Sequence, residues 1–282
     1  MLLLALIGCD SVLSATQASL GAADATERLQ VYTLRGGPGA WRRDPTPFAH
    51  AFSSLHAVSW GDDLVLAGLS SARPPSWLDE RFPRLAVGAL VTRDGATWAA
   101  RSYAVDAPGT SLIDPALVAG PEGMELWFVQ AEGLGDPAQG GRTVDIVRTR
   151  WNGARFDRAE TWATARGLVD PAPVWFGGGW HVFATRDHAA VVVIDAKGGP
   201  AREVLGGASV PFARTEGDEV VLLAQRPTGG GRMVPIELRS RDMRQWSAPR
   251  TVVDDPSLQT CASPVTGRLA GAELLFCVDE RR

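Results

Sequence analysis

Five apolar strands open along this chain beside a proline or an alanine, at Leu55-His56-Ala57, Ile113-Asp114-Pro115, Val169-Asp170-Pro171, Val210-Pro211 and Ser263-Pro264. Successive openings fall 40 to 58 residues apart. Each is followed by a short Gly- or acid-rich turn and a second apolar strand, at 63–69, 125–129, 180–185, 219–224 and 273–278. A β-strand repeat at a period of roughly 20–50 residues, or a little more, marks stacked units that cannot bury their faces alone. Few architectures satisfy that requirement.

The units read as four strands each. The first places them at 55–60, 64–69, 84–91 and 98–104, and the second at 114–118, 125–129, 144–150 and 156–162. The third gives 171–176, 180–185, 189–194 and 201–205, and the fourth 209–215, 219–224, 233–239 and 246–253. The fifth supplies only two strands before Arg282, and the missing pair is available at 29–34 and 40–43, across Gly36-Gly37-Pro38-Gly39. The expected fold is therefore all-β, a five-bladed β-propeller over 28–282, closed by N-terminal strands that complete the last blade and leave no open sheet edge. With 31 Gly and 19 Pro among 282 residues, the composition suits many short strands and tight turns.

A second phrase repeats between the two outer strands of a unit. Thr92-Arg93-Asp94-Gly95-Ala96-Thr97-Trp98 and Ser240-Arg241-Asp242-Met243-Arg244-Gln245-Trp246 share one pattern, with Trp151-Asn152-Gly153-Ala154-Arg155-Phe156 a looser relative. The Asp is expected to cap its own turn and the Trp to anchor the outer strand on the next blade. This is a structural motif, not a catalytic aspartate.

Leu6-Ile7-Gly8-Cys9 resembles the lipobox of bacterial lipoproteins, which makes Cys9 a lipidation candidate and 10–27, rich in Ala, Ser and Thr, a flexible tether. Residues 1–9 would form the signal segment, although it is shorter than the usual ~15–30 residues and lacks a basic start; an apolar stretch with a chance cysteine is the alternative. Cys261 and Cys277 lie symmetrically about Leu269, so a regular hairpin turning there would set them opposite each other, and an oxidising compartment favours a disulfide. Free buried thiols are the alternative. The expected location is a bacterial cell envelope, with the membrane touched through the lipid alone. No apolar run reaches the ~18 residues of a membrane-spanning helix. A net charge of −4 without a basic stripe argues against nucleic acid.

Loop lengths are asymmetric. The long connections, 70–83, 131–143 and 225–232, emerge where the inner strands open, so that face is the expected functional one. His56, Asp114 and Asp170 would ring the central funnel there. Trp77, Arg73, Arg142, Arg186, His188 and Arg226 would surround them as substrate-binding candidates. Four scattered histidines offer no zinc spacing, and no Lys-Ser/Thr follows a Gly-rich loop as a P-loop requires.

The Asp-Pro openings and Ser/Thr-x-Asp-x-x-x-Trp turns resemble those of five-bladed propeller glycosidases, chiefly family 43 glycoside hydrolases and the related invertase-type enzymes. The resemblance spans about 29–282. It implies acids at the inner-strand openings of the first three blades acting as general base, pKa-tuning aspartate and general acid. Ile113-Asp114-Pro115 matches the tuning aspartate; Asp170 stands where that family has a Glu, and His56 where it has an Asp. Glycoside hydrolysis usually needs two carboxyl groups, ~5–5.5 Å or ~6.5–9.5 Å apart, one of them kept protonated. Asp114 and Asp170 could supply them, with His56 as base near its ordinary pKa of about 6.5. The bland alternative is that the Asp-Pro pairs shape the strand openings and His56 is a satisfied core group. The expectation is an exported, monomeric propeller that binds, and can hydrolyse, a glycan at the funnel. The other reading is a non-catalytic envelope module that docks a protein or ligand. No organic cofactor is expected; a calcium ion on the axis is left open.

Overall fold

The computed structural model describes residues 11–13, 29–37, 40–50, 52–70, 85–107, 112–131, 141–229, 232–253 and 260–280. Every regular element among them is a strand. Four consecutive antiparallel strands build each unit. The first contains β5 (Phe52–Trp60), β6 (Asp63–Ser70), β7 (Leu85–Thr92) and β8 (Trp98–Val105). The second contains β9 (Ile113–Gly120), β10 (Gly123–Ala131), β11 (Thr143–Trp151) and β12 (Phe156–Arg166). These two meet at their outer strands through a single parallel pair, Val105 with Phe156. The third blade is β13 (Leu168–Phe176), β14 (Gly179–Arg186), β15 (Ala190–Ile194) and β16 (Ala201–Gly206). The fourth is β17 (Ser209–Glu216), β18 (Glu219–Pro227), β19 (Met233–Ser240) and the two-residue β20 (Arg250–Thr251).

The last sheet joins the two ends of the chain. The strands β21 (Ala262–Leu269) and β22 (Ala272–Glu280) pair with β2 (Leu29–Arg35), whose other edge carries β3 (Arg42–Arg43) and β4 (Ala49–His50). The β2–β22 register runs unbroken from Leu29 opposite Glu280 to Arg35 opposite Leu274. A long antiparallel ladder with no bulge thus holds the ring shut. Apolar packing follows the same circle. One cluster fills the interface of blades one and two, the next that of two and three, and the next that of three and four. The remaining cluster mixes Phe212, Leu223 and Val252 of the fourth blade, Phe276 and Leu274 of the fifth, and Leu64, Leu66 and Trp98 of the first. The inner strands carry almost continuous apolar runs because both of their faces are covered.

In the turn phrase the aspartate caps its own turn as expected, whereas the tryptophan packs on the preceding blade and not the next: Trp98 on the last sheet, and Trp246 edge-on to Phe183 of the third blade. Asp94 Oδ1 accepts the backbone N–H groups of Ala96 (2.8 Å) and Thr97 (2.7 Å), while Thr92 Oγ accepts that of Gly95 at 2.9 Å. Those backbone donors hold the Asp94 carboxyl down at a pKa of about 2. Asp242 and Asn152 repeat the arrangement. Trp98, 4% exposed, stacks on Phe48 at 4.5 Å and meets Phe276 edge-on at 5.9 Å, which ties the first blade to the last sheet.

Three further expectations need correction. The fourth blade's outer strand, expected over 246–253, reduces to Arg250–Thr251, because Arg239 N–H bonds the Ser247 side-chain oxygen instead of a facing carbonyl and Pro249 has no N–H to give the ladder. Cys261 and Cys277 form a disulfide, but not as directly opposed partners. The hairpin turns at Ala270-Gly271, with φ of 49° and 81°, and Cys277 lies opposite Tyr32 of β2. Within the stretch read as a tether, Ser11–Leu13 forms a short strand, β1, paired with the edge of β8.

Candidate functional site

Each inner strand opens on the same distortion. Ile113 and Ala116 of β9 face Val129 and Trp127, so three steps on one strand match two on the other. The same slip separates Ser53 from His56, Val169 from Ala172, Ser209 from Phe212 and Ala262 from Val265. One extra residue inserted in this way is a β-bulge. The register makes residue 54 the counterpart of Asp114. His56 instead matches Ala116, Ala172, Phe212 and Val265, two residues deeper toward the axis. The expected equivalence of His56 with the two aspartates is therefore corrected by the bulge.

The bulge residues are left-handed. Asp114, Asp170, Val210 and Ser263 have φ of 51°, 53°, 49° and 46°. An L-residue there is strained by roughly 1–2 kcal/mol, less for Asp, whose short side chain bonds locally. Strained residues often mark functional sites, yet Val210 and Ser263 share the conformation without any acid chemistry. The strain belongs to the frame.

Three of the bulge N–H groups, those of Asp170, Val210 and Ser263, are capped by a side chain from the preceding blade. Asp114 Oδ2 accepts from Asp170 N–H at 3.1 Å. Thr185 Oγ accepts from Val210 N–H, and Gln225 Oε1 from Ser263 N–H, both at 2.8 Å. Asp114, from an inner-strand bulge, thus gives the third blade the cap that a hydroxyl and an amide on the second strands β14 and β18 give the fourth and fifth.

His56 is 4% exposed. Its Nδ1 lies 2.9 Å from the Leu117 carbonyl, which only accepts, so Nδ1 carries the proton. Its Nε2 is buried and has no partner among the described residues. Desolvation by burial lowers the pKa to about 4, against a smaller raising effect from the Leu117 bond. The imidazole is neutral at pH 7 and a weak base. Its ring packs at 4.9 Å from that of Phe212.

His56, Asp114 and Asp170 do come together. With Leu55, Pro115, Pro171, Val210 and Pro211 they line a cavity of about 10 Å³. That holds about one water molecule. Arg186 closes β14, His188 sits exposed in the following turn with φ of 54°, Arg226 is half-buried near the end of β18, and Arg142 is exposed just before β11. All four lie on the face where the inner strands open, but none lines a described cavity. Arg73, Trp77 and Cys9 lie outside the described residues. Among the described residues no group of three His, Cys, Asp or Glu side chains is gathered as a metal site.

A much larger space opens on the other face. A cavity of about 560 Å³ runs along the axis from His56, Leu117 and Phe212 to the hairpin turns that end the inner strands. Its mouth carries Trp175, Arg214, Glu216, Arg268 and Glu273. Nothing in the amino-acid pattern announces it, because its walls are mid-strand Ala, Val and Leu residues that read as ordinary core.

No protein-family model and no curated protein sequence matches this chain. Solved structures do match in fold. An α-L-arabinofuranosidase from Lactobacillus brevis superposes with a TM-score of 0.56 at 7% identity, over 82% of this chain and 90% of that one. An endo-arabinase from Bacteroides thetaiotaomicron gives 0.56 at 10% identity, over 82% and 94%. A xylan β-1,4-xylosidase from Bacillus halodurans gives 0.55 at 13% identity, over 82% of this chain and 49% of that one. At these identities the likeness is one of fold: a glycosidase-like propeller.

Proposed function

We propose that this chain is an exported carbohydrate-binding propeller that retains a glycosidase-like frame without the two-carboxylate reaction. One observation carries the reading: Asp114 caps Asp170 N–H inside a cavity with room for about one water. A sugar ring cannot enter that space. The group nearest the family's base position, His56, is held neutral and weakly basic. General acid–base work favours a group whose pKa lies near the working pH. The glycosidase-like fold supports a glycan as ligand, held on the strand-opening face by Arg142, Arg186, His188 and Arg226.

Immobilised on a sensor and screened against a glycan array, the purified chain should retain at least one glycan without shortening it. Retention of none, or release of shortened product, would overturn the reading. The lipobox-like Leu6-Ile7-Gly8-Cys9 supports a lipid anchor in the bacterial envelope. Cells fed labelled palmitate should label the wild-type chain and not Cys9→Ser; equal labelling of both removes the anchor.

A further inference from the structure

We propose that the wide axial cavity is a second ligand site, taking a neutral glycoside whose sugar rests in the mouth and whose compact apolar aglycone fills the throat. It goes beyond the glycan binding proposed above, since it lies at the opposite end of the axis and shares none of the arginines invoked there. The volume of about 560 Å³ falls within the range of small-molecule sites, ~300–1,000 Å³.

The walls change character with depth. Around the floor stand His56, Leu117 and Phe212, and above them Val58, Val174 and Ala213, so the throat favours an apolar group. From His56 to Ser59, or from Phe212 to Glu216, is three to four strand residues, roughly 10–13 Å at ~3.3 Å per residue. One aromatic ring and one pyranose in line fit that depth.

The mouth has the chemistry of a sugar subsite. Trp175 is one of two large apolar side chains left exposed among the described residues, at 37%, and its ring is braced edge-on by Trp180 at 5.5 Å. A braced, half-open indole offers its face to the C–H surface of a pyranose. The charged groups are balanced, two arginines against two glutamates. Arg214 Nη2 bonds Glu216 and Glu273, each at 2.7 Å, and Arg214 Nη1 donates to Thr266 Oγ at 2.5 Å. Arg268 lies 3.8 Å from Glu216 and is 68% exposed. Burial works against ionising Glu216, but Arg214 and Arg239 outweigh it and lower its pKa. A mouth of fixed, mutually compensated donors and acceptors suits neutral hydroxyls better than an ion.

Titration calorimetry with phenyl β-D-glucopyranoside tests the assignment, with glucose and phenol as separate probes. The glucoside should bind at least about tenfold more tightly than either part alone, a difference of about 1.4 kcal/mol. Trp175→Ala should weaken it about tenfold. Ala119→Phe, which adds a ring at an exposed position on the cavity wall, should abolish it. Arg226→Ala, on the far face, should leave it unchanged, which separates this site from the glycan face. Absence of saturable binding in the millimolar range, binding equal in Ala119→Phe and wild type, or binding lost in Arg226→Ala would each overturn the proposal.

Discussion

Replacing Asp114 separates two contributions that this structure superimposes. Its carboxylate accepts the Asp170 N–H, and its backbone is left-handed at φ 51°. Asp114→Ala removes the acceptor from the half-buried Asp170 N–H, at about 1–3 kcal/mol. It also places a side chain without a local hydrogen bond in a conformation that costs roughly 1–2 kcal/mol, of which Asp already bears part. The sum is about 2–4 kcal/mol. At roughly 2–4 °C per kcal/mol for a domain of this size, the midpoint should fall by about 5–15 °C. Asp114→Asn keeps an oxygen acceptor and tolerates the left-handed region, so its midpoint should stay within ~3 °C of wild type. Asp114→Gly relieves the backbone but loses the acceptor, and should lie between them. Thermal unfolding followed by tryptophan fluorescence and circular dichroism, at one scan rate with the disulfide intact, reads the series. An Ala variant as stable as wild type, or an Asn variant as unstable as Ala, would refute the capping argument.

Two further outcomes follow from buried charge. His56 titrates at about 4 in the folded chain against an ordinary value of 6.5 when unfolded, so the unfolded chain binds more protons between those values. Its contribution is therefore intact above pH ~6.5 and declines as pH falls toward 4, by up to roughly 3 kcal/mol; the urea midpoint of the wild type should fall relative to that of His56→Phe between pH 7 and pH 4, and a parallel pair of curves would contradict this. Arg148 forks onto Glu125 with two 2.6 Å bonds, facing the rings of Trp127 and Trp180 at 5.5 Å. Arg148→Ala leaves the fully buried Glu125 with only Arg150, 3.9 Å away, and should cost about 3 kcal/mol, the low end for a broken buried pair, whereas Arg148→Met with Glu125→Leu should recover most of it; denaturant unfolding that shows no recovery would mean that the fork, and not the buried charge, dominates.

The blade plan was legible because its signals are local. Apolar runs and Gly turns recur from unit to unit, the Asp94 and Asp242 caps mark the turns of the first and fourth, and the Val31-Tyr32-Thr33-Leu34 run lay where the incomplete last sheet needed a strand. The bulges were not legible. An extra residue beside Asp114-Pro115 leaves no compositional trace, yet it moves every later residue of the strand relative to its partner, and so misaligned His56. The same shortcoming misplaced the cysteine register, which depends on a turn at Ala270-Gly271 and not at Leu269. The candidate site was half legible. His56, Asp114 and Asp170 do converge, but only coordinates show that they enclose about 10 Å³ while about 560 Å³ opens behind them. The outer strand of the fourth blade was read too long, at 246–253, because the two residues that pair in β20 cannot display a period that fixes its ends.

Whether the acids at the strand openings hold the ring or cleave a sugar is decided most directly by turnover. Aryl glycosides and oligosaccharides incubated with the folded wild-type chain, and with folded Asp114→Asn and Asp170→Asn variants, should yield the same background of released sugar in all three. Release by the wild type that collapses in either Asn variant, with the fold intact, would contradict the account.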